Sequence, residues 1–285
     1  MIHTTQIITT NKMEIDFSNV MMAFALTLFA GLSTGIGSAI AFFAKKTNAK
    51  FLAVSLGFSA GVMIYISLVE IFQKARISLV SDNGDVLGNW YAVISFFGGI
   101  AIVGLIDKLV PEYENPHEIR SIEDMQINPN KKSKSLMRMG IMSALAIGIH
   151  NFPEGMATFT AGLANPEIAI PLAVAIAIHN IPEGIAVSVP IYYATGSKKK
   201  AFTLSFLSGL SEPVGALIGF ILIYYFTGMS ETVFGVLFGS VAGIMVFISL
   251  DELLPTAQEY GKHHHAIYGL VAGMAVMAVS LLLFI

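Results

Sequence analysis

Two stretches hold residues that could do chemistry: GIHNFPEGMA, Gly148–Ala157, and AIHNIPEGIA, Ala177–Ala186. Each sets a histidine, an asparagine and a glutamate inside apolar sequence. In a helix His150 and Glu154, four apart, stack on one face, and Asn151 sits beside them. That face offers an imidazole nitrogen, an amide oxygen and a carboxylate. His179, Asn180 and Glu183 repeat it, and a third stretch, SEPVG, adds Glu212. Three carboxylates held together repel one another, and a divalent cation relieves that repulsion while displacing protons. Nitrogen and oxygen donors without sulfur suit Zn²⁺, Fe²⁺, Mn²⁺ or Co²⁺. Met63 can add a thioether, although a methionine in an apolar helix more often packs.

The surroundings must pay for these groups only if they lie in lipid, and the composition puts them there. Of 285 residues 55% are hydrophobic and only 12% charged, which excludes a soluble binding module. Apolar runs long enough to cross about 30 Å of hydrocarbon fall at Val20–Ala44, Phe51–Phe72, Tyr91–Asp107, Leu136–Thr160, Glu167–Tyr193, Ala201–Phe226, Thr232–Leu254 and Ala266–Ile285. An uncompensated carboxylate at mid-membrane costs about 3 kcal/mol on insertion scales. The six motif residues and Glu212 must therefore face one another, water or a cation. Pro153 and Pro182 cannot donate to the carbonyls of Ile149 and Ile178, and such freed oxygens at membrane depth are a common ingredient of ion sites. Gly155 and Gly184 allow a neighbouring helix to approach closely.

The expected fold is an all-α integral membrane protein with eight transmembrane helices, both termini outside. Orientation follows the basic residues. With the N-terminus outside, thirteen of the sixteen fall in cytoplasmic loops, and Lys12, Lys74 and Arg76 stay outside. Residues 1–19 then form an extracytoplasmic tail that does not resemble a cleavable signal peptide. Residues 20–285 form the eight-helix membrane domain, with a mobile cytoplasmic loop at 110–135. The chain also repeats itself. Gly57–Glu70 and Gly239–Glu252 agree at eight of fourteen positions, and GLSTGIGSA (Gly31–Ala39) echoes GLSEPVGAL (Gly209–Leu217). Paired spans run in opposite senses, which gives a 3+2+3 inverted-repeat bundle. No cysteine is present, so thiolate ligands and disulfides are excluded. Glu70 and Glu252 read as vestibule acids or interfacial charges, and Asp107 with Lys108 as an interfacial pair. His263–His265, in a short cytoplasmic loop, can collect a departing metal; His117 reads as an ordinary loop residue.

HNFPEGMATF, AIHNIPEGIAVSVPIYYATGSKKKAF and SGLSEPVGALIGF resemble spans four to six of the ZIP (zinc- and iron-regulated-transporter-like) metal transporters, most closely the prokaryotic broad-specificity importers. The resemblance implies import of divalent transition metal across the cytoplasmic (inner) membrane, with homodimers in several members. It implies a paired metal site on His150, Asn151, Glu154, His179, Asn180, Glu183 and Glu212, with Met63 at a position that supplies a ligand in some members. Some members carry Gln or Asp where this chain has His179 and Asn180. It also implies an elevator-like shift of spans one, four, five and six. The metal is cargo, no bound cofactor is expected, and the other partner is the lipid bilayer, not nucleic acid. Two rivals are an intramembrane metalloenzyme, for which no H-E-x-x-H run exists, and a proton-coupled carrier of another solute.

Overall fold

The computed structural model describes residues 17–41, 49–109, 129–164, 166–222, 230–261 and 263–283; the side chains of some helical residues, Asp107, His150 and His263 among them, lie outside the described part. Among the described residues the chain is helical throughout, without strands. The helices are α1 (Phe17–Ala41), α2 (Ala49–Ile66), α3 (Phe72–Asn83), α4 (Asp85–Leu109), α5 (Pro129–Ala164), α6 (Pro166–Thr195), α7 (Lys198–Gly209), α8 (Ser211–Leu222), α9 (Glu231–Ile248), α10 (Leu254–Tyr260) and α11 (His263–Leu283). Seven stretches are long and apolar enough to cross a membrane: Phe17–Ala39, Lys50–Asn83, Asp85–Ile106, Ala169–Thr195, Lys198–Ile221, Glu231–Tyr260 and His264–Leu282. The expected span Leu136–Thr160 falls within α5.

Several boundaries differ from the sequence reading. Phe17–Asn19, expected in the tail, already belong to α1. The loop expected at 110–135 ends earlier, because α5 starts at Pro129; His117 lies outside the described residues. His263–His265 form the first turn of α11 rather than a loop, with His264 exposed and stacked on Tyr268.

The second and seventh spans run on well past Phe72 and Leu254. Each passes through a π-helical turn, Ser67–Ile71 and Ser249–Leu253, and continues as α3 to Asn83 or α10 to Tyr260. These turns occupy matching places in the repeated sequence. In each, the first serine donates to a methionine carbonyl one turn back: Ser67 to Met63 at 2.6 Å, Ser249 to Met245 at 2.7 Å. π-helical turns inside α-helices recur at functional positions. Glu70 and Glu252 sit within them; Glu70 lies 3.6 Å from Lys74, and Glu252 is buried.

Stops and starts follow local chemistry. Gly84 and Gly196 take positive φ (77° and 66°), which glycine reaches without a Cβ clash, and they end α3 and α6. The side chains of Ser197 and Ser230 cap α7 and α9 by accepting from the amides of Lys200 and Val233.

Two packed groups result. In one, α1 lies along α6, and α5 packs on α6, α7 and α8; in the other, α2 lies along α11, and α4 packs on α3 and α9. α6 is central: 67% of its apolar window is buried, against 22% for those of α4 and α11, which put Trp90, Ile94, Phe97 and Val271 on the outside. Between helices in lipid, close packing replaces the hydrophobic drive, so small residues set the contacts. A methyl on Gly57 or Gly61 would overlap the α11 carbonyls of Ala266 and Leu270. Their repeat counterparts Gly239 and Gly243 press the same way on Ser95 and Phe96 of α4.

Candidate metal-transport site

α5 and α6 run through Pro153 and Pro182 without interruption. The interruption lies elsewhere. The sixth span, read as one helix with Glu212 about eleven residues in, breaks at Leu210. Glu212 therefore stands in the first turn of α8, just before Pro213. The sequence signal for this break is the proline itself: it cannot donate to the Gly209 carbonyl. A helix start also favours a carboxylate, because its amides are unpaired and its dipole end is positive.

Six of the eight expected site residues are polar groups placed at the α5–α6–α8 crossing with described side chains. Asn151, Glu154, His179, Asn180, Glu183 and Glu212 are all fully buried. The Nε2 of His179 lies 3.0 Å from Oε1 of Glu154, joining α6 to α5. The amide of Asn180 donates both to a carboxylate oxygen of Glu212 and, at 3.0 Å, to the Ala30 carbonyl of α1. Glu212 lies within electrostatic reach of Glu154 and Glu183. Asn151 donates to the Ser208 carbonyl at 3.5 Å. Met63 is fully buried in the main apolar core. The side chain of His150 lies outside the described residues, though its backbone continues α5.

Ser59 was not singled out in the sequence. From α2 its hydroxyl donates to Oε1 of Glu183 at 3.1 Å and to the His179 carbonyl at 3.4 Å. Its only sequence signal is its place within the Gly57–Glu70 repeat, where the other copy has Val241. Around Gly184 the hydroxyls of Ser38 (3.4 Å) and Ser205 (3.2 Å) both donate to one carbonyl, fixing α1 and α7 against α6.

Chemically this is a set of close polar pairs and not a finished cage. Among the described residues no three His, Asp or Glu side chains gather tightly enough to hold an ion as they stand. Oδ1 of Asn151, Oδ1 of Asn180 and Oε2 of Glu212 are buried and accept no hydrogen bond among the described residues. Buried oxygens in that condition are rare in folded proteins, and a cation is one partner that satisfies them.

A family model described as "ZIP Zinc transporter" matches residues 108–281. The chain belongs to the ZIP family. This ZIP chain is 65% identical over 282 residues to the "Zinc transporter ZupT" of Clostridium perfringens (strain 13 / Type A), which covers 95% of it and 98% of the relative. The protein of the same name from Streptococcus mutans serotype c is 64% identical over 267 residues, covering 94% and 99%. The one from Corynebacterium efficiens is 59% identical over 270 residues, covering 95% and 100%. ZIP proteins are transporters and not enzymes, so the intramembrane metalloenzyme reading falls away. With seven membrane-capable stretches among its described residues, this ZIP chain is a multi-pass membrane protein.

Proposed function

We propose that this chain carries Zn²⁺ into the cell across the cytoplasmic membrane, through a site built from His150, Asn151, Glu154, His179, Asn180, Glu183 and Glu212. The observation that carries the reading is the burial of Glu154, Glu183 and Glu212 beside His179 and Asn180 at one helix crossing. Such groups are tolerated at membrane depth when they neutralise one another or a passing ion. The arriving ion sheds water onto the buried oxygens and the His179 imidazole. Fe²⁺, Mn²⁺ and Co²⁺ satisfy the same donors and compete. Met63 stays in the core and is at most an auxiliary thioether.

The 3+2+3 inverted arrangement of eight spans is supported by the way contacts recur, and the placing of both termini outside by the distribution of the basic residues. α1 meets α6 as α8 meets α5, and α2 meets α11 as α9 meets α4. Transport then consists of one group, α1 with α5 to α8, shifting against the other. The seam between them is narrow, made mainly by α2 on α6 and α5 on α9. A homodimer is compatible with this scheme, since the shift needs only one group held fixed.

The test is Zn²⁺ uptake by metal-starved cells expressing Glu154→Ala or Glu183→Ala, with membrane abundance measured in parallel. Both variants reach the membrane and lose uptake. Normal uptake in both removes the site from the transport path.

A further inference from the structure

The packing around the site is nearly two-fold symmetric, and at the place of one carboxylate the symmetry puts a threonine. Ala30, Gly31, Thr34 and Gly37 of α1 occupy the places of Ser208, Gly209, Glu212 and Gly215 along α7 and α8. Asn180, Ile181, Glu183 and Gly184 of α6 occupy those of Asn151, Phe152, Glu154 and Gly155 in α5. The contacts obey this exchange. Asn180 donates to the Ala30 carbonyl, and Asn151 to that of Ser208. Gly37 abuts the Ile181 carbonyl and Gly215 that of Phe152; Gly184 abuts that of Thr34 and Gly155 that of Glu212. Gly31 and Gly209 face each other across the centre. A side chain on Gly31 would meet the Gly209 carbonyl and Cβ of Glu212; one on Gly209 would meet the Gly31 carbonyl and Cβ of Thr34. Thr34 thus stands where Glu212 stands.

Its hydroxyl is held ready in an unusual way. The other buried hydroxyls of α1 bond a carbonyl one turn back: Thr27 to Ala23, Ser33 to Ala30, Ser38 to Thr34. Thr34 is equally buried, yet its Oγ1 has no hydrogen-bond partner among the described residues. The carbonyl it would use, that of Ala30, already accepts from Ser33 and from the site residue Asn180. Oγ1 lies instead toward Gly209, 2.9 Å from where a side chain there would begin.

We infer that Thr34 is an oxygen ligand of the transported cation, completing around Asn151 and Glu154 the half-site that Glu212 completes around Asn180 and Glu183. This rests on the site proposed above. One half-site then offers two carboxylates and the other a carboxylate and a neutral hydroxyl. Fewer charged ligands mean weaker retention of a divalent cation, so the ion is held firmly on one side of the axis and loosely on the other.

The experiment compares Thr34→Val, Thr34→Ser and Thr34→Asp in proteoliposomes loaded by Zn²⁺ uptake, with Zn²⁺ affinity read on purified protein by indicator competition. Thr34→Val, nearly the same shape, raises the half-saturating Zn²⁺ concentration by about 3- to 30-fold, the range of one lost hydrogen-bond-like contact to that of a lost supporting contact at a metal site. Thr34→Ser returns it toward the unaltered value. Thr34→Asp tightens binding and lowers the maximal rate, which no packing role produces. If the valine variant does not reach the membrane, Thr34→Ala against Thr34→Ser makes the same comparison. A Thr34→Val protein with unchanged half-saturation and affinity, alongside a Glu212→Ala protein that has lost uptake, overturns the Thr34 assignment alone. Full uptake in Glu212→Ala overturns the site itself.

Discussion

The two asparagines of the proposed site are held very differently. Asn180 ties α6 to both α1 and α8 and supplies the donor to Glu212, whereas Asn151 makes a long 3.5 Å contact with one carbonyl. Removing a donor from a buried carboxylate costs more than removing it from a carbonyl, because hydrogen bonds to charged groups are worth roughly twice neutral ones. Asn180→Leu is therefore expected to destabilise the detergent-solubilised protein by about 1–2 kcal/mol more than Asn151→Leu, read as the larger fall in thermal midpoint. Equal falls would show that Asn180 contributes no more than a neutral contact. Ser59 belongs to the same scale. It reaches Glu183 from the opposite group of helices, so Ser59→Ala is expected to lower Zn²⁺ uptake several-fold, on the order of one hydrogen bond to a charged group, with membrane abundance unchanged. Uptake equal to that of the unaltered chain would leave Ser59 with packing alone.

At the scale of elements, glycine-lined seams set how closely helices approach, and that approach brings Glu154, Glu183 and Glu212 together. Gly243 of α9 touches the Phe96 carbonyl, so a Cβ there cannot fit without separating α9 from α4; Gly98, on the same α4, has open space around it. Gly243→Ala is expected to destabilise the protein by at least about 2 kcal/mol, while Gly98→Ala is neutral or slightly stabilising through helix propensity. Comparable thermal midpoints for the two variants would contradict this account of the seam. The π-helical turns at Ser67–Ile71 and Ser249–Leu253 show the same repeat logic: each opens with a serine that bonds a methionine carbonyl, and each contains an acid, Glu70 or Glu252. The break at Leu210 is an element-scale device as well, since it turns Glu212 from a mid-helix residue into one at a helix start.

At the scale of the whole molecule, two helix groups meet along a seam, and Ser59 of one reaches Glu183 of the other across it. Orientation belongs here too. The expected topology puts the α3–α4 corner outside and the α6–α7 corner inside. Because the chain has no cysteine, single cysteines report cleanly. Ser81 and Lys199 are both exposed at those corners. Ser81→Cys is expected to react with a membrane-impermeant maleimide in intact cells, and Lys199→Cys only after the cells are opened. The reverse pattern would invert the topology and the direction of import with it.

Much was legible in the sequence because lipid leaves so few options. Long apolar runs can only be helices in a membrane, so eight runs could be read from the sequence, and among the described residues seven stretches are long and apolar enough to cross one. Carboxylates inside such runs need partners, so His179, Asn180, Glu183 and Glu212 stood out by type and spacing. What lay beyond reach was set by contacts between residues far apart in the chain. The sequence could not show that α3 and α10 extend their spans, since the polar residues after Phe72 and Leu254 look like loop, whereas Ala75, Leu79 and Ala257 between them are buried against neighbouring helices. It did not show that Pro153 and Pro182 leave their helices unbroken while the chain breaks before Pro213. It gave no sign that an ordinary serine on α2 reaches Glu183. Residue type and period are local properties, written in the order of the amino acids; which donor meets which acceptor across a crossing depends on how closely the helices pack, and only the folded chain decides that.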